Sequence, residues 1–516
     1  MFLEHSLVLL MIASLVLLYN FRRHIDGDEG SYYLGMRSFA IDGKLPWADI
    51  YSHNFPFFYL FSGFVMKFVG HSFLRARIIN SSFLIGTLFI YFIFFENILS
   101  FTDALLLLIF ILSNQIFVFT NTGVRQYAIS NFFLAISFYF LAYYVFFTGT
   151  KADLLSVFFI GFFIGIAGSC RFNPLLLFAL IIFIYFQSGY FFSYIASFCV
   201  GIFVANLPNL AVFLKSPSKS LANLLTQVGL NIVNRKNKSK FTFIETLKFN
   251  ITSNYSKGFS LLTVLFLLVL FCLSKAFFGF YFFKIELLAM IFAFSIFIFY
   301  GLFITRNHTF PQALFFLVFL NLPFWQIISP VFKLLIVFSF LFYDLFFNKE
   351  HSGSFFLNIF LFFANFKKQG IKQYLFPSKF NRYDYKKYLE ILNLYVKDND
   401  KILPLEFKEL VALLDANYIP GTETHNLGDT YILMDEDMQK KLSVLQFKDL
   451  LDNIERAIPK VVLSTGSFFR FPDYLPMPDI DKKHVLLTSN IERRIKKYYD
   501  LVFCDNYINI WARKVL

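Results

Sequence analysis

Three acidic side chains directly follow the first apolar segment of the chain. Asp26, Asp28 and Glu29 lie in the stretch H-I-D-G-D-E-G-S-Y-Y, where membrane proteins usually carry basic or aromatic residues. One carboxylate of such a group can act as a general base, which contributes about 10²- to 10⁴-fold to a rate, while another positions a substrate or binds a cation. Asp28 and Glu29 are therefore candidates for these two roles, one as the base and the other as the positioning or cation-binding group, although acidic pairs are also common in loops without a function.

Basic side chains interrupt the apolar part of the chain at three places. Arg125 lies in N-T-G-V-R-Q-Y, Arg171 in G-S-C-R-F-N-P, and Arg306 with His308 in T-R-N-H-T-F-P. Charged groups at membrane depth are costly and usually face a cavity, and a guanidinium matches the oxygens of a phosphate. Each of them alone could be a snorkelling or paired side chain. Together they predict a shared anion site.

The elements that must position these residues are membrane-spanning helices. The 516 residues are 57% hydrophobic, 21% aromatic and only 16% charged, which is too apolar for an ordinary soluble protein. Because a span needs roughly 20 apolar residues, the sequence predicts a polytopic α-helical membrane protein with about 11 transmembrane helices. The predicted spans are 3–20, 78–95, 104–120, 128–147, 154–169, 173–187, 191–213, 259–273, 285–304, 310–323 and 325–346. The shorter apolar stretch at 56–69 predicts a helix lying in the membrane interface.

The composition changes after about residue 365, where charges of both signs alternate and apolar runs shorten to the length of strands. Strand-like K-I-L-P-L and P-K-V-V-L-S-T alternate with helix-like F-K-E-L-V-A-L-L-D and I-E-R-R-I-K-K-Y-Y-D. Alternation of this kind is typical of an α/β fold. The sequence thus predicts a membrane domain at 1–350, with its first loop at 21–77, and a C-terminal soluble α/β domain at 365–516.

Charge and motifs exclude several classes of function. The formal charge is +13, but the bases are spread through loops, so nucleic acid is not expected and anionic lipid or a phosphate-bearing substrate is favoured. Glycine-rich phosphate loops, H-E-x-x-H and C-x-x-C are missing from the sequence. The acidic group Met434–Asp437 could bind a divalent cation, although a solvated turn is the favoured interpretation.

The N-terminal motifs resemble those of the GT-C superfamily of membrane glycosyltransferases, in particular the bacterial branch similar to protein O-mannosyltransferases and the lipid A aminoarabinose transferase. The family order is an acidic D-E followed by an aromatic residue, a G-x-x-P turn, a P-P-x-x-Y helix start and a G-x-S-x-x-x-x-R end. This chain has D-E-G-S-Y-Y, D-G-K-L-P-W-A-D-I, H-N-F-P-F-F-Y-L-F and F-V-G-H-S-F-L-R-A-R-I-I-N-S in the same order.

The resemblance implies an inverting transferase in a bacterial inner membrane, with a polyprenyl-phosphate-linked sugar as donor. The acceptor would be a glycan, a glycolipid or a protein on the periplasmic or exterior face. Asp28 is the general base that the family places in its first external loop. The expected substrate-binding residues are Asp26, His53, Arg125, Arg171, Arg306 and His308.

Two departures from the family pattern affect these expectations. Relatives commonly have a second carboxylate in the next external loop, but no Asp or Glu occurs between Asp103 and Asp153. This argues against a metal bridged between the two loops and leaves a divalent cation as a possible cofactor. Phe55 also replaces the first proline of the usual pair.

Orientation and two rival functions stay open in the sequence. The positive-inside rule would place Arg22, Arg23 and the Lys-rich loop at 234–240 in the cytoplasm, whereas the resemblance places the first loop and the C-terminal domain at 365–516 on the extracytoplasmic side. A transporter or flippase of lipid-linked saccharides would also need buried cations and many spans, but transporters often carry internal repeats that are not evident here. A polysaccharide polymerase or ligase would place its working residues in a late loop.

Overall fold

The computed structural model describes residues 2–22, 25, 27–52, 54–144, 152–170, 191–225, 318, 321–346, 355–356, 359, 385–423, 427, 431, 436–456, 458–466, 468 and 478–514. The chain divides into two compact units. The first comprises residues 1–24, 80–207 and 240–377, and the second comprises residues 25–79, 208–239 and 378–516. The second unit therefore contains both the predicted first loop and the C-terminal region. The domains predicted from the sequence, 1–350 and 365–516, place these two regions in different domains.

Helices make up most of the described chain before residue 350. They are α1 (Phe2–Arg22), α2 (Gly27–Asp42), α3 (Pro56–Val69), α4 (Phe73–Glu96), α5 (Phe101–Leu112), α6 (Gln115–Thr122), α7 (Tyr127–Ala142), α8 (Leu154–Cys170), α9 (Phe191–Ala205), α10 (Leu207–Lys215), α11 (Leu322–Ile327) and α12 (Pro330–Phe346).

Two of the described helices are long and apolar enough to cross a membrane. They are Leu3–Phe21, within α1, and α4, and a third span results if Phe192–Ala205 and α10 are counted together. Shorter apolar helices, including α5, α7 and α8, accompany them. These helices fit a polytopic membrane protein. The predicted count of about 11 spans extends over residues that the structure does not describe, such as 173–187, 259–273 and 285–304.

Small residues allow two helices of the first unit to pack closely. Gly161 and Gly165 of α8 are spaced as in the G-x-x-x-G motif, which lets helix backbones approach each other in membranes. A Cβ on Gly165 would lie 2.7 Å from the Cβ of Ala205, and one on Gly161 would meet the carbonyl oxygen of Phe198. Around this contact, apolar side chains of α1, α4, α5, α7 and α8 form one buried core.

The predicted span at 104–120 is two helices in the structure. Helix α5 ends at Leu112, and the Ser113 hydroxyl donates to the carbonyl of Phe110 at 2.7 Å. The Asn114 side chain then accepts from the N–H of Phe117 at 3.0 Å and caps α6. Polar side chains that hydrogen-bond the local backbone compete with a continuous helix, which explains the break.

The C-terminal part of the second unit contains a five-stranded sheet in the order β2-β1-β3-β5-β4. Strand β1 is parallel to β2 and β3, whereas β5 is antiparallel to β3 and β4. The strands are β1 (Lys401–Pro404), β2 (Asn417–Tyr418), β3 (Val461–Ser464), β4 (Tyr499–Cys504) and β5 (Asn509–Arg513). The helices are α13 (Tyr385–Tyr395), α14 (Lys408–Leu414), α15 (Glu436–Lys441), α16 (Phe447–Glu455) and α17 (Pro478–Tyr498). Tyr51 of the first loop packs into the core of this region.

Candidate active site

Helix α2 carries both predicted catalytic acids in its first turn. Asp28 and Glu29 directly follow Gly27, the first residue of the helix. The unpaired N–H groups and the dipole at a helix N-terminus favour negative charge, so the D-E pair suits this position. The Asp28 side chain is partly exposed, whereas Glu29 is fully buried. The two neighbouring acids therefore occupy different environments.

Arg77 of α4 holds the carboxylate of Glu29 in a two-pronged ion pair. The guanidinium Nε donates to Oε2 and Nη2 donates to Oε1, each at 3.0 Å. Both side chains are almost completely removed from solvent, and the guanidinium also lies 5.1 Å from the centre of the Phe73 ring. Bidentate contacts of this kind are strong and directional. They fix the first turn of α2, and with it the backbone of Asp28, against the start of α4.

Gly30 allows α2 to contact the backbone of α14 directly. A Cβ at this position would come within 2.6 Å of the Lys408 carbonyl carbon and 2.8 Å of the Glu409 Cα, and closer still to the Glu409 nitrogen. Backbone atoms cannot move aside as the end of a flexible side chain can, so a residue larger than glycine does not fit. The contact places Asp28, two residues earlier, next to the first turn of α14.

We expect Gly30→Ala to destabilise the second unit by roughly 1–3 kcal/mol, as other overpacked contacts do. The matched control is Gly466→Ala, because a Cβ at Gly466 would have no atom within 4 Å. Thermal unfolding of the full-length protein in detergent measures both variants. A Gly30→Ala protein that unfolds at the wild-type temperature would show that the two backbones are not held as described.

A second set of contacts fixes the other end of the same helix pair. Arg37 of α2 donates to the carbonyl of Ala416 at 2.7 Å and to that of Asp415 at 3.1 Å, and its Nε lies 3.1 Å from an Asp415 carboxylate oxygen. The Tyr33 hydroxyl donates to the same carboxylate at 3.1 Å. Because Gly30 meets the start of α14 and Arg37, farther along α2, meets its end, the two helices run in the same direction and α14 is held at both ends.

Lys408 is a buried cation at the start of α14, with only 4% of its surface exposed. Removal from water lowers the pKa of this ammonium to about 8, against the opposing effect of the carboxylates Glu406, Glu409, Glu423 and Asp28. The cost of desolvation therefore outweighs the attraction of all four acids. Of these acids, Asp28 is the one that belongs to α2.

The lowered pKa of Lys408 predicts a rise in stability with increasing pH. In the unfolded chain a lysine keeps its proton up to about pH 10.4, so between about pH 8 and this value the unfolded state binds the extra proton. Stability then increases through this window. We expect the unfolding temperature of the wild type to rise between pH 8 and pH 9.5, and we expect Lys408→Met to lose most of this rise.

Lys386→Met is the matched control for this measurement, since the Lys386 side chain is 59% exposed. It should keep the wild-type dependence on pH. An unchanged pH dependence in Lys408→Met would contradict the burial of the charged group.

A small pocket opens beside α2, and the roughly 350 Å³ of empty space around its lining includes open solvent. Burial raises the pKa of the Glu423 carboxyl at this pocket, and a hydrogen bond from the Tyr418 hydroxyl opposes the rise. Within the described part of the chain, the buried Ser31 hydroxyl at the pocket has no hydrogen-bond partner, whereas buried polar groups normally have one. The lining residues are Ser31, Tyr32, Gly35, Pro46, Ile50, Tyr51, Ser52, Tyr59 and Glu423.

The structure brings together only some of the residues singled out in the sequence. Asp28 and Glu29 share the first turn of α2. Arg125 is buried in the first unit, where the Asn80 side chain donates to its carbonyl at 3.0 Å. The remaining candidates, Asp26, His53, Arg171, Arg306 and His308, lie outside the described residues.

Sequence reasoning missed the contribution of the C-terminal region to this site. Lys408 and Glu423 belong to a stretch of mixed charges that carries no recognisable motif, and only the folded chain brings them to α2. Arg77 was within reach, because it is the final arginine of the G-x-S-x-x-x-x-R motif.

The described part of the chain contains no cluster of side chains that could serve as metal ligands. No group of three or more His, Cys, Asp or Glu side chains is arranged there to hold a metal ion. A divalent cation at the first loop stays a prediction.

Two solved structures match nearly the whole chain. ArnT from Cupriavidus metallidurans bound to undecaprenyl phosphate is 11% identical, with a TM-score of 0.63 over 98% of this chain and 97% of that one. The same protein in the apo state is 12% identical, with a TM-score of 0.62 and the same coverage. An Archaeoglobus fulgidus oligosaccharyltransferase in complex with Zn and sulfate reaches a TM-score of 0.39, which is too low to indicate a shared fold.

No protein-family model matches the chain, and a search of curated proteins finds no match. At 11% and 12% identity the likeness to ArnT concerns the fold alone. The chain therefore has the fold of ArnT over almost its entire length, which supports, at the level of the fold, the GT-C resemblance of its N-terminal motifs.

Proposed function

We propose that this protein is an integral-membrane glycosyltransferase that moves a sugar from a polyprenyl-phosphate-linked donor to an acceptor on the extracytoplasmic face, with Asp28 as the general base. The observation that carries the proposal is the position of Asp28 in a chain with the ArnT fold. The Asp28 side chain is partly exposed in the first turn of α2, and the following turns of this helix line a pocket.

Two features support the proposed donor class. The solved ArnT structure contains undecaprenyl phosphate, and the first-loop motifs of this chain resemble those of transferases that use such donors. The predicted cations Arg171, Arg306 and His308 would bind the phosphate, with His53 near it. These positions lie outside the described residues, so their convergence on one site stays a prediction.

The reaction needs one proton transfer and one bond exchange. Asp28 takes the proton from an acceptor hydroxyl or amine, whose freed electron pair attacks the anomeric carbon of the sugar. The bond between that carbon and the phosphate oxygen breaks from the opposite side, so that the configuration inverts. The bonding electrons leave with the polyprenyl phosphate, and neighbouring cations stabilise this leaving group.

The ion pair with Arg77 favours a positioning role for Glu29. Its two carboxylate oxygens already accept hydrogen bonds from Arg77 at 3.0 Å, and the side chain is fully buried. A base must reach the proton that it removes. Asp28 is the more accessible of the two and fits that requirement better.

The lining of the small pocket beside α2 has the side-chain chemistry of a carbohydrate-binding surface. Tyr32, Tyr51 and Tyr59 contribute rings that combine apolar faces with hydroxyl groups. The buried Ser31 hydroxyl has no partner among the described residues, so a ligand hydroxyl could bond to it, and Glu423 adds a carboxyl group. A few polar groups on a largely aromatic wall are typical of sites for small molecules.

The test is an assay with the full-length protein in detergent or in lipid vesicles. A panel of synthetic polyprenyl-phosphate sugars is supplied with glycolipid or peptide acceptors, and the release of polyprenyl phosphate is measured by mass spectrometry. Acceptor-dependent release that is absent in Asp28→Asn supports the proposal. Movement of a fluorescent lipid-linked saccharide across vesicles without cleavage would instead support a flippase and contradict a transferase.

A further inference from the structure

The buried ammonium of Lys408 has no role in the reaction as proposed so far, yet it lies next to the proposed base. Lys408 begins α14, and the contact of its backbone with Gly30 places it opposite the first turn of α2. Asp28 is among the carboxylates that act electrostatically on its side chain. The C-terminal region thus brings a positive charge to the acidic end of the first-loop helix.

The backbone around Lys408 is held in an unusual conformation. Phe407, the residue before it, has a φ of 60° in the left-handed region, which bulky L-residues rarely adopt. The helix that follows is fixed by the Tyr385 hydroxyl, which donates to Glu409 at 3.1 Å, and by Arg37 at its other end. The position of the ammonium is therefore set by the fold.

The stability of the fold does not explain why a lysine is buried here. Taking a charge out of water is costly, and a buried ion pair is weak evidence for stabilisation because apolar residues of similar size often replace it at no loss. A cation next to a carboxylate does, however, favour the ionised form of that carboxylate. For a general base, the ionised form is the one that can accept a proton.

We propose that Lys408 is a positioning residue for the transfer reaction, whose ammonium keeps the Asp28 carboxylate ionised and oriented towards the acceptor. The inference rests on the proposed function, in which Asp28 is the base. It means that the C-terminal region completes the active site that the first loop begins. Lys408 itself exchanges no proton with the substrate.

The charges around this pair set the expected direction of any change with pH. Glu406, Glu409 and Glu423 face Lys408 from the C-terminal region, and Asp28 faces it from α2. Near the same end of α2, Glu29 is already neutralised by Arg77. Removing the ammonium would take away a positive charge that favours the ionised form of Asp28 and leave the charges of the three nearby glutamates, which oppose it.

The experiment compares the pH dependence of sugar transfer in Lys408→Met and Lys408→Arg of the full-length protein. In Lys408→Met the acidic limb of the rate profile should move up by about one pH unit or more, the size of effect that a nearby opposite charge has on a carboxylate. At a pH on that limb, we express each rate as a fraction of the plateau rate of the same protein. This fraction should be roughly tenfold or more lower in Lys408→Met than in the wild type. Lys408→Arg keeps the charge and should follow the wild-type acidic limb.

A second variant keeps the test decisive if Lys408→Met does not fold. Glu406 is less buried than Lys408, and Glu406→Gln removes an acid that competes for the ammonium. Its acidic limb should move to lower pH, opposite to that of Lys408→Met. An acidic limb that stays in place in both variants, or a uniform loss of rate at every pH, would overturn the role of Lys408 and leave it a structural residue.

Failure of this inference can be told apart from failure of the proposed function. If the wild type transfers no sugar, or if Asp28→Asn transfers at the full rate, the proposed function is wrong. If Asp28→Asn is inactive while the pH profiles of Lys408→Met and Glu406→Gln match the wild type, only the role of Lys408 is wrong.

Discussion

Asp28→Asn should reduce sugar transfer by at least 10²-fold, within the range of about 10² to 10⁴ that a general base contributes. An asparagine amide has nearly the shape of the carboxylate but cannot accept the proton of the acceptor. The ion pair of Glu29 with Arg77 and the contact at Gly30 do not involve the Asp28 side chain. The variant should therefore fold and insert into membranes as the wild type does.

Asp42→Asn is the matched control, because it makes the same chemical change on the same helix. Asp42 is the last residue of α2, its side chain is 50% exposed, and it lies 3.5 Å from Lys44. This variant should keep the wild-type rate. Release of polyprenyl phosphate, measured at several concentrations of donor, separates the two cases: Asp28→Asn should lose kcat, whereas donor binding should change little.

Full activity in Asp28→Asn would remove the base from the proposal. The aromatic pocket beside α2 and the fold of ArnT would remain, and the function would have to be sought in binding or transport of a lipid-linked saccharide. An intermediate loss that is equal in Asp28→Asn and Asp42→Asn would indicate a general effect of charge at α2, and would count against a specific role for Asp28.

The sequence predicted local elements well where periodicity and composition determine them. The apolar stretch at 56–69 is helix α3, and its exposed Phe64 and Phe68 give it an apolar outer surface. The stretch K-I-L-P-L contains β1, and P-K-V-V-L-S-T contains β3, whose residues are all buried. Patterns of this kind act within a few residues, so they do not require knowledge of the tertiary structure.

Tertiary placement is what the sequence could not supply. The short cap at Asn114 divides a run that hydropathy alone reads as continuous. The pairing of α2 with α14 depends on residues more than 370 positions apart, such as Arg37 and Asp415. No periodic pattern connects two such stretches, which is why the motifs identified Asp28 and Glu29 but could not identify Lys408 as their neighbour.

Breaking the ion pair between Glu29 and Arg77 should have the largest effect on stability of any change considered. Arg77→Met removes the guanidinium that neutralises the buried Glu29 carboxylate, and Glu29→Gln removes the negative charge that faces the buried Arg77 guanidinium. Removal of one member of a buried pair typically costs 3–5 kcal/mol. The pair also fixes the first turn of α2, so each single variant should lose sugar transfer along with stability.

The double variant Glu29→Gln with Arg77→Met tests whether Glu29 acts by holding α2 in place or by taking part in the reaction. With both charges of this pair removed, neither is left buried opposite a neutral side chain, and most of the lost stability should return. The exposed pair Glu492 and Lys496 of α17 serves as the control, because neutralising a surface pair of this kind changes stability by at most about 1 kcal/mol. Thermal unfolding in detergent measures all of these variants.

If the double variant also regains transfer, Glu29 serves to position α2 and Asp28 alone is the base. If the double variant is stable and yet inactive, the carboxylate of Glu29 takes part in the chemistry.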